Sequence, residues 1–189
     1  QPAIEATLER AENILNRDLL LCGHMFHLEP LDWHRDPVTQ KDIPRLWGTD
    51  LNVYDTAHFS DVRYIWELNR HQHFVTLGRA CYWSNDSRFA VDLFEQWQHW
   101  LDENPPGIGI NWSSALEVAY RLISWIWALQ YAKHSAMLTP HVYARILQSI
   151  EQHVRFIQRH LSRFSSANNH LIGEAVGLMY AGSYISELY

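Results

Sequence analysis

Asn168, Asn169 and His170 stand together in a stretch that continues "LIGEAVGLMYAG". A side-chain amide can donate hydrogen bonds to a developing anion. A neutral imidazole can take a proton near physiological pH. At the mouth of a helix, where backbone N–H groups lack partners, such residues make a charge-handling site. A plainer reading also fits: Asn168 as N-cap, and His170 with Glu174 as an i,i+4 surface pair. Gly173, Gly177 and Gly182 each cost a helix about 1 kcal/mol relative to Ala, and close helix packing is the natural offset.

A second cluster lies in "RYIWELNRH". Arg63 and Glu67 are four apart, Glu67 is three before Arg70 and four before His71, and Trp66 shares a face with Arg70. The spacing suits an ion-paired helix face. A third cluster puts Asn111 and Trp112 ahead of Glu117 and Arg121, whose four-residue spacing suits a structural pair. The pairs His24/His27 and His71/His73 have chelating spacing, but no HExxH or paired Cys/His pattern accompanies them, so no metal site is assigned.

The elements that must position these residues are helical. Residues 3–16 form an amphipathic pattern, whereas 17–58 carry prolines, aspartates and tryptophans without a period, which predicts an ordered irregular segment. From residue 59 the chain reads as successive helices. The first runs from Ser60 as N-cap through "RACYW". The second is closed by Asn104-Pro105-Pro106-Gly107. A Ser114–Glu117 capping box opens the third, which reaches about His134. Thr139-Pro140 opens the fourth, with a stripe at Val142, Ile146, Ile150, Val154, Ile157, Leu161 and Phe164. The last begins near Asn168. No strand alternation is evident. Long helices joined by short turns suggest antiparallel pairs, as in bundles, solenoids or α/α toroids.

In 189 residues, 47% are hydrophobic and 19% charged, which describes a globular chain with a real core. Nine Trp and nine Tyr fit either a heavy core or a cleft lined by rings. A net charge of −6 argues against nucleic acid or an anionic membrane as partner. No apolar run is long enough to span a membrane. Cys22 and Cys81 read as buried thiols, with a disulfide between them the alternative in an oxidising compartment.

The segments "DWHRDP" (32–37), "DVRYIWELNRHQH" (61–73), "NPPGIGINWSSALEVAYRLISW" (104–125) and "NNHLIGEAVGL" (168–178) resemble, in order, the heparinase II/III family of polysaccharide lyases. The resemblance implies an all-α fold over 59–189, an incomplete α/α toroid of antiparallel helix pairs, followed in full-length members by β-sheet domains. It implies β-elimination on a uronate polymer without a cofactor. An acidic polysaccharide would be the partner and an export compartment, such as a bacterial periplasm, the setting. Asn169 would neutralise the uronate carboxylate, and His170 would transfer a proton or orient the substrate. Trp66, Asn69, Arg70, Asn111, Trp112 and Glu174 would contribute to substrate binding. The family's catalytic Tyr and a later His are expected beyond residue 189, because Tyr180, Tyr184 and Tyr189 lie too close to His170. The rival reading is a non-catalytic helical module that binds or helps process an exopolysaccharide.

Overall fold

A computed structural model describes residues 2–55, 57, 60–164 and 167–185. Its helices are α1 (Pro2–Leu15), α2 (Val62–Asn69), α3 (Gln72–Ser84), α4 (Ser87–Glu103), α5 (Ala115–Ala132), α6 (Pro140–Arg159) and α7 (Asn169–Ile185). Helices α1, α3, α5 and α7 pack side by side in chain order. Helix α4 backs α3, and α6 backs α5 and α7. The arrangement is an incomplete α/α toroid of antiparallel helix pairs.

The tryptophan excess goes mainly to the core. Trp33, Trp97, Trp100, Trp112 and Trp125 are at most 1% exposed, five of the nine in the chain. They form one aromatic cluster with Phe74, His71 and His153, the last of which joins Trp112 to the rest. Burial of such rings supplies the largest share of apolar area per residue.

Helix ends follow local chemistry with instructive exceptions. Thr139 Oγ1 accepts from the Val142 N–H, and Pro140 occupies the first turn, as the sequence predicts. Helix α2 is capped by Asp61, whose carboxylate accepts from the Arg63 N–H, and not by Ser60. Ser60 instead donates its N–H and hydroxyl to Asp36. The expected Ser114–Glu117 box does not form: Ser114 makes no side-chain cap bond, and the Glu117 carboxylate is bound to Arg70 instead. The stripe on α6 holds at Ile146, Ile150 and Ile157, all 0% exposed, but Phe164 lies past the helix and is 98% exposed.

Two local structures depart from the sequence expectation. A hairpin of β1 (Asp18–Leu21) and β2 (His24–His27) occupies part of the irregular segment. Cys22 and Gly23, with φ of 50° and 83°, make its two-residue turn, a conformation whose twist matches the strands. The single helix expected from residue 60 breaks in two at Arg70–His71. His71 adopts φ 57° and is fully buried, with the Trp125 indole N–H donating to its Nδ1 at 2.8 Å. Burying the ring against tryptophan outweighs an unbroken helix. Cys22 and Cys81 are free and half-buried, and burial together with the bond Cys22 gives to Glu67 pushes the Cys22 thiol up to about 11.

Candidate functional site

Helix α7 is fixed at its first turns by three contacts. A Cβ on Gly173 would come within 2.4 Å of Leu116 Cδ1, and one on Gly177 within 2.8 Å of Ala119 Cβ, so α7 lies directly on α5. Gly182 has nothing within 4 Å and plays no such role. Glu174 is fully buried and accepts from the Ser162 N–H and hydroxyl at 2.8 and 2.6 Å. It therefore ties the α6–α7 loop to α7, and the expected His170–Glu174 pair is not made. Asn168, Asn169 and His170 are left exposed at the helix mouth. The Asn168 carbonyl accepts from the Ile172 N–H, as an N-cap residue's does.

His170 lines a groove of about 450 Å³ with Trp66, Val53, Tyr54, Asp61 and Arg63 among its other walls. The Trp66 indole N–H donates to Ser113 Oγ at 3.2 Å, and Ser113 donates to the Ile110 carbonyl at 2.8 Å. The indole is thus held while part of its surface stays open. Tyr54 is 87% exposed. The Arg63 Nε donates to Asp61 at 2.8 Å, and these bonds hold the Asp61 carboxyl below its ordinary range. The groove therefore offers an aromatic face, a phenol and an imidazole next to a helix N-terminus, together with the Asp55 carboxyl and an exposed Arg63–Asp61 ion pair.

The other sequence-predicted residues stand behind this surface. Arg70 gives two bonds to the Glu117 carboxylate, at 2.6 and 2.9 Å, and lies 5.0 Å over the Tyr120 ring. Glu117, at the same time, raises the Arg70 pKa. This pairing replaces both the Glu67–Arg70 and the Glu117–Arg121 pairs that spacing suggested. Arg63 likewise takes Asp61 rather than Glu67.

Asn69, Asn111 and Trp112 are each 1% exposed. Asn69 donates to the carbonyls of Trp33 and Ile65 and accepts from the Trp100 indole. Asn111 donates to the Trp33 carbonyl and to Asn104. Arg121, 1% exposed, donates to the carbonyls of Asn69 and Asn111 and to His153 Nε2, with Trp100 and Trp112 on its flanks at 4.6 and 5.7 Å. Burial lowers Arg121 to about 9 and keeps His153 neutral, which matches the acceptor role of its Nε2. These side chains, with Glu174, do not line the groove. They join the end of α2 to the 110–112 turn and so set the position of Trp66.

Of the eight residues singled out in the sequence, Trp66 and His170 meet in the groove. Asn169 is exposed in the same first turn as His170 but is not among the groove's lining residues. Tyr189 lies outside the described residues. Spacing along the chain assigns Arg63 only an ion pair and does not single out Tyr54 or Asp61. Arg63 had a signal, since it sits three residues before Trp66 on one helical face. Tyr54, in an aperiodic stretch, had none. Among the described residues no cluster of metal-binding side chains occurs.

A fold of paired helices is also what comparison with known proteins returns. The model of the heparinase II/III N-terminus matches residues 11–189, and the chain belongs to that family. A curated relative, the heparin-sulfate lyase of Bacteroides stercoris, is 27% identical over 143 residues, 65% of this chain and 21% of the relative. The crystal structure of the heparan sulfate lyase HepC from Pedobacter heparinus superposes with a TM-score of 0.76 at 20% identity, covering 97% of this chain and 26% of that one. A heparinase III gene product superposes equally well, at 20% identity over 97% of this chain and 28% of its own. At these identities the superpositions establish the fold. The chain spans about a fifth of the curated relative's length and about a quarter of the solved ones.

Proposed function

We propose that this chain is the N-terminal toroid portion of a polysaccharide lyase that cleaves a uronate polymer by β-elimination. The observation that carries the reading is the meeting of His170 and Trp66 in one open groove at the N-terminus of α7. Family membership and the heparin-sulfate lyase relative support it.

In this reaction a base removes the proton at C5 of the uronate. The C5–H electrons form the C4=C5 double bond, and the C4–O bond breaks with its electrons leaving on O4, which an acid protonates. The C5 proton is acidic enough only if charge on the adjacent carboxylate is stabilised. Asn169 supplies an amide donor for that carboxylate, beside the free N–H groups of the α7 mouth. His170 moves a proton or orients the sugar. Trp66 stacks on a sugar face, and Arg63, whose pair with Asp61 is exposed to solvent, exchanges that partner for a carboxylate or sulfate. Asn69, Asn111, Trp112, Arg121 and Glu174 are positioning residues. Arg70, with its charge already met by Glu117, holds α2 against α5. The remaining proton-transfer group belongs to chain downstream of residue 189, and action on an extracellular polymer implies export.

The test is to incubate the full-length protein with heparan sulfate, heparin, hyaluronan and alginate and follow ultraviolet absorbance of unsaturated ends. Absorbance growth on at least one polymer is the expected result. Tight binding without any unsaturated product would favour the non-catalytic module instead.

A further inference from the structure

Trp47 is 61% exposed, yet its backbone is firmly held. It forms a bridge with Ile108, and the Gly48 N–H donates to the Gly107 carbonyl at 2.8 Å. The indole packs against Gly107, where a Cβ would approach Trp47 Cζ3 to 2.7 Å and where φ is +84°. A large ring displayed on a rigid support serves a partner better than it serves the core.

The indole forms one side of a cavity of about 370 Å³, and the last turns of α6 form the other. Arg155, Arg159 and His160 lie there. Arg155 pairs with Glu151, whereas Arg159 has no ion pair among the described residues. The His160 ring stacks on Phe156 at 4.2 Å, and its Nδ1 donates to the Phe156 carbonyl at 2.9 Å. Trp112 completes the wall, and its buried indole Nε1 has no partner among the described residues. Cations at a helix C-terminus are ordinary in themselves. An exposed, supported indole facing them across a cavity large enough for a small ligand is not.

We infer that this cavity is a second saccharide site, separate from the groove of His170, which takes one sulfated or carboxylated sugar residue of a polymer. The sugar's apolar face stacks on Trp47, and the anion is held in the fork of Arg159, with Arg155, which shares its charge with Glu151, beside it. The site rests on the lyase reading for the identity of the polymer, and on its own geometry for binding.

The experiment measures calorimetric binding of a heparan sulfate hexasaccharide to the full-length protein at about 0.15 M salt, where exposed charges are screened beyond about 8 Å. Trp47→Ala and the double variant Arg155→Gln/Arg159→Gln should each weaken binding about tenfold, a loss typical of one stacking or charge-assisted contact. Trp47→Phe, which keeps a ring, should retain most of the affinity, and a neutral dextran oligosaccharide should not bind. Melting curves of the variants should match the parent, since the altered groups are exposed. Hexasaccharide affinity unchanged in both Trp47→Ala and the double variant would overturn the site. Trp47-dependent binding by a protein that makes no unsaturated ends would keep this site and retire the lyase reading.

Discussion

Glu117 and Glu174 each stand four residues from a basic group on their own helix, and each bonds elsewhere. Glu117, with its side chain 6% exposed, takes both arms of Arg70 from another helix, and Glu174 takes the Ser162 loop. Removing one member of a half-buried, doubly bonded pair leaves the other charge without compensation. Glu117→Ala should therefore lower unfolding free energy by about 3 kcal/mol in a denaturant titration. Arg63, exposed in the groove, should behave in the opposite way: Arg63→Ala should leave the melting temperature in place and, if the proposed elimination holds, raise its KM in the full-length protein. An unaltered KM would take Arg63 out of the substrate contacts. Trp66 and His170 were legible in the sequence because their motifs are specific. The burial of Asn69 and Asn111 was not, because their shared acceptor, the Trp33 carbonyl, lies 36 and 78 residues away along the chain. Local spacing carries no trace of such a bond.

At the scale of elements, the α5–α7 contact positions the groove, and its glycines separate into two kinds. Gly177→Ala forces a methyl onto Ala119, whose own Cα would be only 3.0 Å away, and should destabilise by about 1–3 kcal/mol. Gly182→Ala meets open space and should be neutral or stabilise by up to about 1 kcal/mol through helix propensity. Equal effects of the two substitutions in thermal unfolding would contradict the packing described. The long helices were readable from period and caps, Thr139-Pro140 most plainly. The hairpin was not, because "DLLLCGHMFH" shows no clear alternation and its turn relies on Cys22 at positive φ, where Asn or Asp is the usual signal. The break between α2 and α3 was hidden for a related reason. It is driven by where the His71 ring is buried, which tertiary packing alone decides.

The whole molecule carries a pH dependence in its core. His71 and His153 are fully buried, and burial lowers the pKa of each well below the ordinary value. Below about pH 6.5 the unfolded chain binds protons that the fold refuses. Stability is therefore complete above that value and is lost as pH falls, by up to about 1.4 kcal/mol per pH unit for each histidine. Guanidinium unfolding at pH 7.5 and 5.5 should show this decline, and a flat profile would mean the rings are protonated or exposed in the fold. The same core holds α2, the 110–112 turn and α7 in place, and so frames the groove where we propose that the polymer is cleaved. The most direct measurement is the rate of unsaturated-end formation by the full-length protein carrying His170→Ala or Asn169→Ala, with helical content checked by circular dichroism. His170→Ala should lose at least about 100-fold, as removal of a proton-transfer group does. Asn169→Ala should lose about 100–1,000-fold, as removal of one donor to a developing anion does. Helical content should not change. Elimination at the full rate by the His170→Ala protein on its best substrate would contradict the claim and leave His170 as a neighbour of a helix cap.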